Sequence, residues 1–244
     1  MKPLMDDGWD PVPAYLYMML QESNNGRRGR EITQAKLVAW GQKIKLYKGV
    51  TRIFALLRKQ AHAISPDINI EYYLVSSGIG EVLRASRVAK YFDDIWACDF
   101  HYDDNGRIAF PKNIISFTDK TRYLFHISKG IIGPESRHKP FEVNRKIDFP
   151  DLHIPIDQMI FVGDGYTDIP CFSMLQKQGG IAIGVYDPED RERWGRAWGF
   201  ITEGRVSNLS PTNYSKNSAL RLSLMMAVEH IARRIALTRQ TYQG

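Results

Sequence analysis

Ile160-Phe161-Val162-Gly163-Asp164-Gly165-Tyr166-Thr167-Asp168 reads as a short apolar strand running into a glycine-flanked turn, with two carboxylates four residues apart. Pro170 opens a helix behind the turn, and Gly179-Gly180 ends it. A strand that feeds a helix in this way is the unit of a parallel sheet. In open parallel sheets, ligands bind outside the carboxyl ends of the strands. The flanking glycines let backbone approach closely. Clustered oxygens there suit a hard cation such as Mg2+, which takes one or two protein carboxylates and keeps waters for a substrate phosphate. The same residues also read as two acids in a turn, with Asp168 capping the helix that starts at Pro170.

Outward from this stretch, strands and helices alternate. Residues 50–57 carry Val50, Ile53, Phe54 and Leu57 at helical spacing. Residues 68–75 read as a buried strand, Ser76-Ser77-Gly78-Ile79-Gly80 as a tight turn, and 81–91 as a helix. A strand at 95–98 leads to a hairpin signal, Asp103-Asp104-Asn105-Gly106. Thr118 is placed to cap a helix that stops at Gly130, and the proline-bearing stretch 131–157 reads as a loop. Residues 181–185 form the last clear strand. The tail helix after Ser218 puts Leu224, Val228, Ile231 and Ile235 on one stripe. The pattern predicts an α/β fold, a mostly parallel sheet covered by helices. Residues 1–46 show helical spacing only and form a small helical module; residues 47–244 form the α/β core.

Composition narrows the function. Hydrophobic residues make up 43% and charged residues 25% of the 244, ordinary for a globular chain with a real core. No apolar run reaches the ~18 residues of a membrane span, so no membrane role is expected. Cys98 and Cys171 alone cannot build a disulfide framework or a Cys-x-x-Cys site, which fits a reducing, cytoplasmic setting. The net charge of +6 is dispersed, with Arg27, Arg28 and Arg30 as the densest group. No aromatic-interleaved basic stripe accompanies it. The tail-helix residues Arg221, Arg233, Arg234 and Arg239 fall mainly opposite the apolar stripe, where long charged side chains are usual. The charge suits anionic small molecules, and no nucleic-acid partner is expected.

Two further features carry chemistry. Leu74-Val75-Ser76-Ser77-Gly78 delivers a hydroxyl and then backbone N–H groups at the start of a helix, an anion site or an ordinary serine-capped turn. Lys120 lies in the first turn of its helix, on the unfavourable side of the macrodipole. It is either a plain exposed lysine or one held by a carboxylate or phosphate. Gly78-Ile79-Gly80, with Asp99 19 residues after Gly80, is also part of a dinucleotide fingerprint, but Leu83 replaces its third glycine.

The order of strand–Ser76, helix-borne Lys120 and strand–Gly163-Asp164-x-x-x-Asp168 resembles the haloacid dehalogenase-like hydrolase superfamily, near its phosphoserine-phosphatase-like branch. Leu46-Tyr47-Lys48-Gly49-Val50 and Asp94-Ile95-Trp96-Ala97-Cys98 share the resemblance, which covers about residues 46–190. It implies a three-layer Rossmann-like core, with residues 1–46 as a small helical cap that sets selectivity. It implies a Mg2+-dependent phosphatase acting on a small phosphorylated metabolite through an aspartyl-phosphate. Ser76 and the Ser77 N–H would bind the phosphoryl group, and Lys120 would neutralise it. Asp164 would ligate Mg2+, and Asp168 would ligate it through water or hold Lys120. The cap would offer Trp9, Tyr15, Tyr17 and Trp40 with the three arginines, either as cap core and solvated loop or as a polyanion-attracting face.

The chain departs from the family at the nucleophile. The family places it in an Asp-x-Asp motif after a central first strand, and no Asp-x-Asp occurs in the 244 residues. The resemblance therefore puts that strand ahead of residue 1, in a chain truncated at its N-terminus and inactive alone. The alternative is a non-catalytic phosphate-binding or regulatory protein. Dinucleotide-binding and nucleic-acid-binding readings rank below these.

Overall fold

The computed structural model describes residues 1–25, 30–190, 199 and 201–241. It is an α/β fold with parallel strand pairs, divided into two compact units. The first unit comprises residues 1–45 and 73–119, the second residues 46–72 and 120–244.

In the first unit, helices α1 (Lys2–Asp6), α2 (Pro11–Asn25) and α3 (Gln34–Gln42) precede strand β1 (Tyr73–Ile79), helix α5 (Gly80–Arg84) and strands β2 (Asp94–Tyr102) and β3 (Ile108–Asn113). The sheet order is β1-β2-β3, with β1 parallel and β3 antiparallel to β2. The β2–β3 hairpin turns where the Asp-Asp-Asn-Gly signal places it. Asp103 accepts the N–H of Asn105 at 2.9 Å and of Arg107 at 2.8 Å through one carboxylate oxygen. Residues 32–34 pair alongside: Ile108 N–H donates to the Ile32 carbonyl and Gln34 N–H to that of Gly106. Thr33 caps α3 through Lys36 N–H at 3.3 Å. Helix α3 packs on α5 through Gly41, where a Cβ would lie 2.2 Å from the Val82 carbonyl oxygen.

Two expectations shift here. The strand read at 68–75 lies at Tyr73–Ile79, so Ser76, Ser77 and Gly78 belong to β1 itself and not to a tight turn after it. Ser76 Oγ accepts the Gly78 N–H at 3.0 Å, and the β1–β2 register breaks between Val75 and Ile79. A side chain that bonds its own backbone offers an alternative to the ladder, which bulges there. The helix read at 81–91 is a single turn and a half, α5, followed by a 3-10 turn at Ala89–Tyr91. Ser86 Oγ donates to the Leu83 carbonyl and helps to end it.

In the second unit, helix α4 (Val50–Ile64) buries Ile53, Phe54, Leu57 and Ala61 and packs on the tail helix α8 (Ala219–Thr241). That helix buries Leu224, Val228 and Ile231 as its stripe requires, with Leu220, Ala227 and Ala232 beside them; Ile235 is half-buried. Helix α6 (Asp119–Ser128) stops at Gly130, φ +69°, and Ile131 N–H reaches back to the His126 carbonyl. The stretch 131–157 contains only short 3-10 turns. Strand β4 (Ile160–Gly163), helix α7 (Ile169–Lys177) and strands β5 (Ile181–Tyr186) and β6 (Asn208–Pro211) complete the unit. The sheet β4-β5-β6 is all parallel. Phe172, Ala182 and Val206 form a core beneath it, with Phe161, Ile169 and Leu209 packed around them. Strand β6 follows the strand at 181–186 that reads as the last. No helix among the described residues is long and apolar enough to cross a membrane.

The Gly41 contact yields a stability prediction. A methyl group against a backbone carbonyl forces the two helices apart, and overpacking of this kind costs about 1–3 kcal/mol. Gly41→Ala should lower the unfolding free energy by that amount, read as a lower urea midpoint at unchanged slope. An unchanged midpoint would mean that α3 and α5 slide apart freely.

Candidate active site

Strand β4 ends at Gly163, and the chain turns through Asp164 and Gly165 into a 3-10 turn, Tyr166–Asp168, that leads into α7. The turn folds around the Asp168 carboxylate. Its Oδ2 accepts the N–H groups of Asp164 at 3.0 Å and Gly165 at 2.9 Å. Its Oδ1 accepts Lys120 Nζ at 2.6 Å. Lys120 Nζ also donates to Thr167 Oγ1 at 2.9 Å. Lys120 is 5% and Asp168 4% exposed. Gly163 is where a Cβ cannot be accommodated, since it would lie 2.6 Å from the Asp168 carboxyl carbon. The lysine that begins α6 on the wrong side of the helix dipole is therefore compensated by a buried carboxylate.

Of the sequence-predicted residues, Lys120, Asp164 and Asp168 come together. Asp168 spends both carboxylate oxygens on the protein and holds Lys120, the second of the two roles open to it. The Asp164 side chain is exposed at the carboxyl end of β4. Its charge reaches two tyrosines. Burial pushes the Tyr214 hydroxyl up to about 12, with Tyr47 and Asp164 adding to the rise. Burial also pushes Tyr47 up, Thr212 draws it back, and Asp187 and Asp164 raise it further. Tyr47 Oη donates to Asp187 Oδ2 at 3.2 Å. Tyr214 N–H pairs with the Lys48 carbonyl at 2.8 Å, fixing the 46–49 segment to the loop that follows β6. Tyr47, Asp187, Thr212 and Tyr214 thus surround the carboxyl end of the parallel sheet; Tyr47 lies in the 46–50 stretch that carries the resemblance, and the other three belong to no motif in the sequence. For those three the one available signal is that Asp187 closely follows the strand read at 181–185.

The anionic field at Asp164 and its exposed carboxylate fit Mg2+, which needs only one or two protein carboxylates. Among the described residues there is no group of three or more His, Cys, Asp or Glu placed to hold a metal.

Ser76 and Ser77 lie on β1 in the first unit. Ser76 Oγ is engaged with Gly78 N–H. The Ser77 carbonyl accepts the hydroxyl of Tyr15 on α2 and the Cys98 thiol. Ser77 Oγ is buried without a hydrogen-bond partner among the described residues. Gly80 and Asp99, the remnants of the dinucleotide pattern, are already occupied. Arg84 binds Asp99, and a Cβ on Gly80 would meet both side chains at 2.2 Å. No pyrophosphate can approach Gly80 while they stay. Arg27 and Arg28 lie outside the described residues; Arg30 is exposed, 3.9 Å from Glu22.

No protein-family model matches the chain. An uncharacterized protein of Borreliella burgdorferi is 26% identical over 200 residues, covering 74% of this chain and 65% of that protein. The chain thus spans a little under two thirds of the length of the relative it matches.

Two predictions test the electrostatics. Removing one partner of a buried ion pair leaves an uncompensated charge and costs about 3–5 kcal/mol. Lys120→Met and Asp168→Asn should each lose that much by denaturant titration, and the double variant less than the sum. Additive losses would show the two side chains to be uncoupled.

Cys171 is fully buried, and its thiol is pushed up to about 12 by burial and then by Asp168, with Lys120 opposing. The unfolded thiol ionises near 9.0, so the contribution of Cys171 to stability is complete below that pH and is lost as pH rises towards 12. Stability measured from pH 8 to 10.5 should fall less steeply in Cys171→Ala than in the parent. Parallel curves would remove Cys171 from that pH dependence.

Proposed function

We propose that the chain is a haloacid dehalogenase-like phosphatase, Mg2+-dependent and acting on a small phosphorylated metabolite. The reading is carried by one observation, the buried Lys120–Asp168 pair that fixes the turn bearing Asp164 at the carboxyl end of a parallel strand. A three-layer Rossmann-like core belongs to the same proposal. On this reading Lys120 presents positive charge to the phosphoryl oxygens, over which charge spreads in the transition state. Asp164 holds Mg2+, which supplies further neutralisation of the phosphate. Asp168 orients Lys120. Two buried free thiols, Cys98 and Cys171, suit a reducing, cytoplasmic compartment.

Hydrolysis through an aspartyl-phosphate needs a nucleophilic carboxylate that no Asp-x-Asp within the 244 residues supplies. Both motif-bearing strands, β1 and β4, lie at an edge of their own sheets. An edge strand is a template for another strand. A parallel strand added along β4 would end beside Asp164, where the nucleophile is needed. A second reading, phosphate binding without hydrolysis, is favoured by the missing motif alone. A nucleic-acid partner draws no support from the tail helix, where Arg234 binds Asp157 and Arg233 binds Glu229.

The test is turnover of p-nitrophenyl phosphate by the 244-residue chain and by a form extended upstream in frame. The extended form should hydrolyse it, lose activity to EDTA and regain it with Mg2+. Asp164→Asn should cost at least ~100-fold, the scale of a lost electrostatic stabiliser. The 244-residue chain should be inactive. An extended form that binds phosphate without turning it over would establish the second reading. Turnover by the short chain that Asp164→Asn leaves intact would overturn both.

A further inference from the structure

We infer that Thr167 is a positioning residue, whose hydroxyl together with Asp168 locks the Lys120 ammonium so that its third N–H is held ready for an oxyanion. The identity of that oxyanion as a phosphoryl group rests on the function proposed above; the lock rests on geometry alone.

An ammonium carries three N–H donors in a tetrahedral array and accepts nothing. Lys120 spends one donor on Asp168 Oδ1 at 2.6 Å and one on Thr167 Oγ1 at 2.9 Å. A single bond to the carboxylate leaves Nζ free to slide along its edge and to turn about the bond axis. A second, off-axis partner removes that freedom, and the direction of the third N–H then follows. Among the described residues the third N–H has no acceptor. The side chain is almost wholly buried, so water competes weakly for it. A charged donor in that state costs free energy until something accepts from it.

Both partners come from one 3-10 turn, with Thr167 and Asp168 adjacent. The lock is therefore assembled when that turn forms and needs no separate element. It also gives Thr167 a chemical requirement. Its oxygen must accept from a cation, which serine satisfies and valine, of nearly the same shape, does not.

The experiment uses the 244-residue chain, with proton–nitrogen NMR of the lysine ammonium groups and titration with inorganic phosphate. Loss of a signal in Lys120→Met assigns the Lys120 ammonium. In the parent, Lys120 should exchange its protons slowly, and phosphate should shift its signal. Thr167→Val should speed that exchange and weaken phosphate binding, each by about tenfold, the factor expected for one lost hydrogen bond of ~1.4 kcal/mol. Thr167→Ser should restore both, whereas a merely structural role would not follow the hydroxyl. If Thr167→Val proves too unstable, Thr167→Ala against Thr167→Ser gives the same comparison.

Unchanged exchange in Thr167→Val would overturn the lock. Faster exchange with unchanged phosphate affinity would overturn the aiming of the third N–H. A parent whose Lys120 signal ignores phosphate, while Thr167→Val still speeds exchange, would leave the lock standing. It would overturn the oxyanion role, and the phosphatase reading would fall with it.

Discussion

The bond between Lys120 and Asp168 is the constraint on which the second unit's candidate site depends. Taking two charges out of water costs several kcal/mol per ion, and their attraction repays it only when the remaining hydrogen-bonding capacity is also used. The turn after β4 meets that condition. Asp168 accepts one bond from Lys120 and two from backbone N–H groups, and Lys120 gains a second partner in Thr167. The conformation of the 164–165 backbone is thereby tied to the ion pair. Gly163 follows from the same constraint, since any side chain there would displace the carboxylate. What reads in the sequence as a glycine-rich turn with two acids is, in physical terms, one buried carboxylate and the room it requires.

This explains which parts were legible. The stretch 160–180 could be read because its determinants are local: an apolar strand, glycines, a proline at the helix start and a Gly-Gly stop. The hairpin at 103–106 is equally local, with Asp103 bonding the N–H groups two and four residues ahead. Strand β6 was not legible, because Asn208-Leu209-Ser210-Pro211 has no β-branched residue and ends in proline. Its pairing with β5 comes from Leu209 entering the core with Phe172 and Val206. The placement of β1 was misread for a related reason. Ile68 and Ile70 look like strand residues, yet the ladder with β2 begins only at Tyr73. Upstream of that point Arg58 Nε donates to the Ile70 carbonyl and the Tyr72 hydroxyl donates to the Phe54 carbonyl, so side-chain bonds tie this stretch to α4.

The polar rim of the parallel sheet was invisible for want of any motif. Tyr47, Asp187 and Tyr214 come from three distant segments, joined by the backbone bond between Tyr214 and Lys48 and by the Tyr47 hydroxyl on Asp187. No spacing in the sequence encodes such a meeting. The segment at 46–49 carried a resemblance on its local pattern alone, and the structure gives that pattern a physical role. Gly49 adopts φ +85° against the backbone of Tyr214, which carries the chain from the sheet's edge into α4.

The two carboxylates of the turn therefore divide the work, and the division follows from burial. A buried carboxylate must have its lone pairs filled by the protein, so Asp168 is committed before any ligand arrives. Asp164, by contrast, is exposed where the strand ends. In the sequence the two are identical residues four apart, told apart only by the resemblance and by the place of Asp168 ahead of Pro170. Only the packing of Lys120 beneath the turn separates them, by drawing one acid inward as a counter-ion and leaving the other at the mouth. Asp164 therefore shows its carboxylate to solvent at the carboxyl end of β4, while Lys120 stays buried with Asp168.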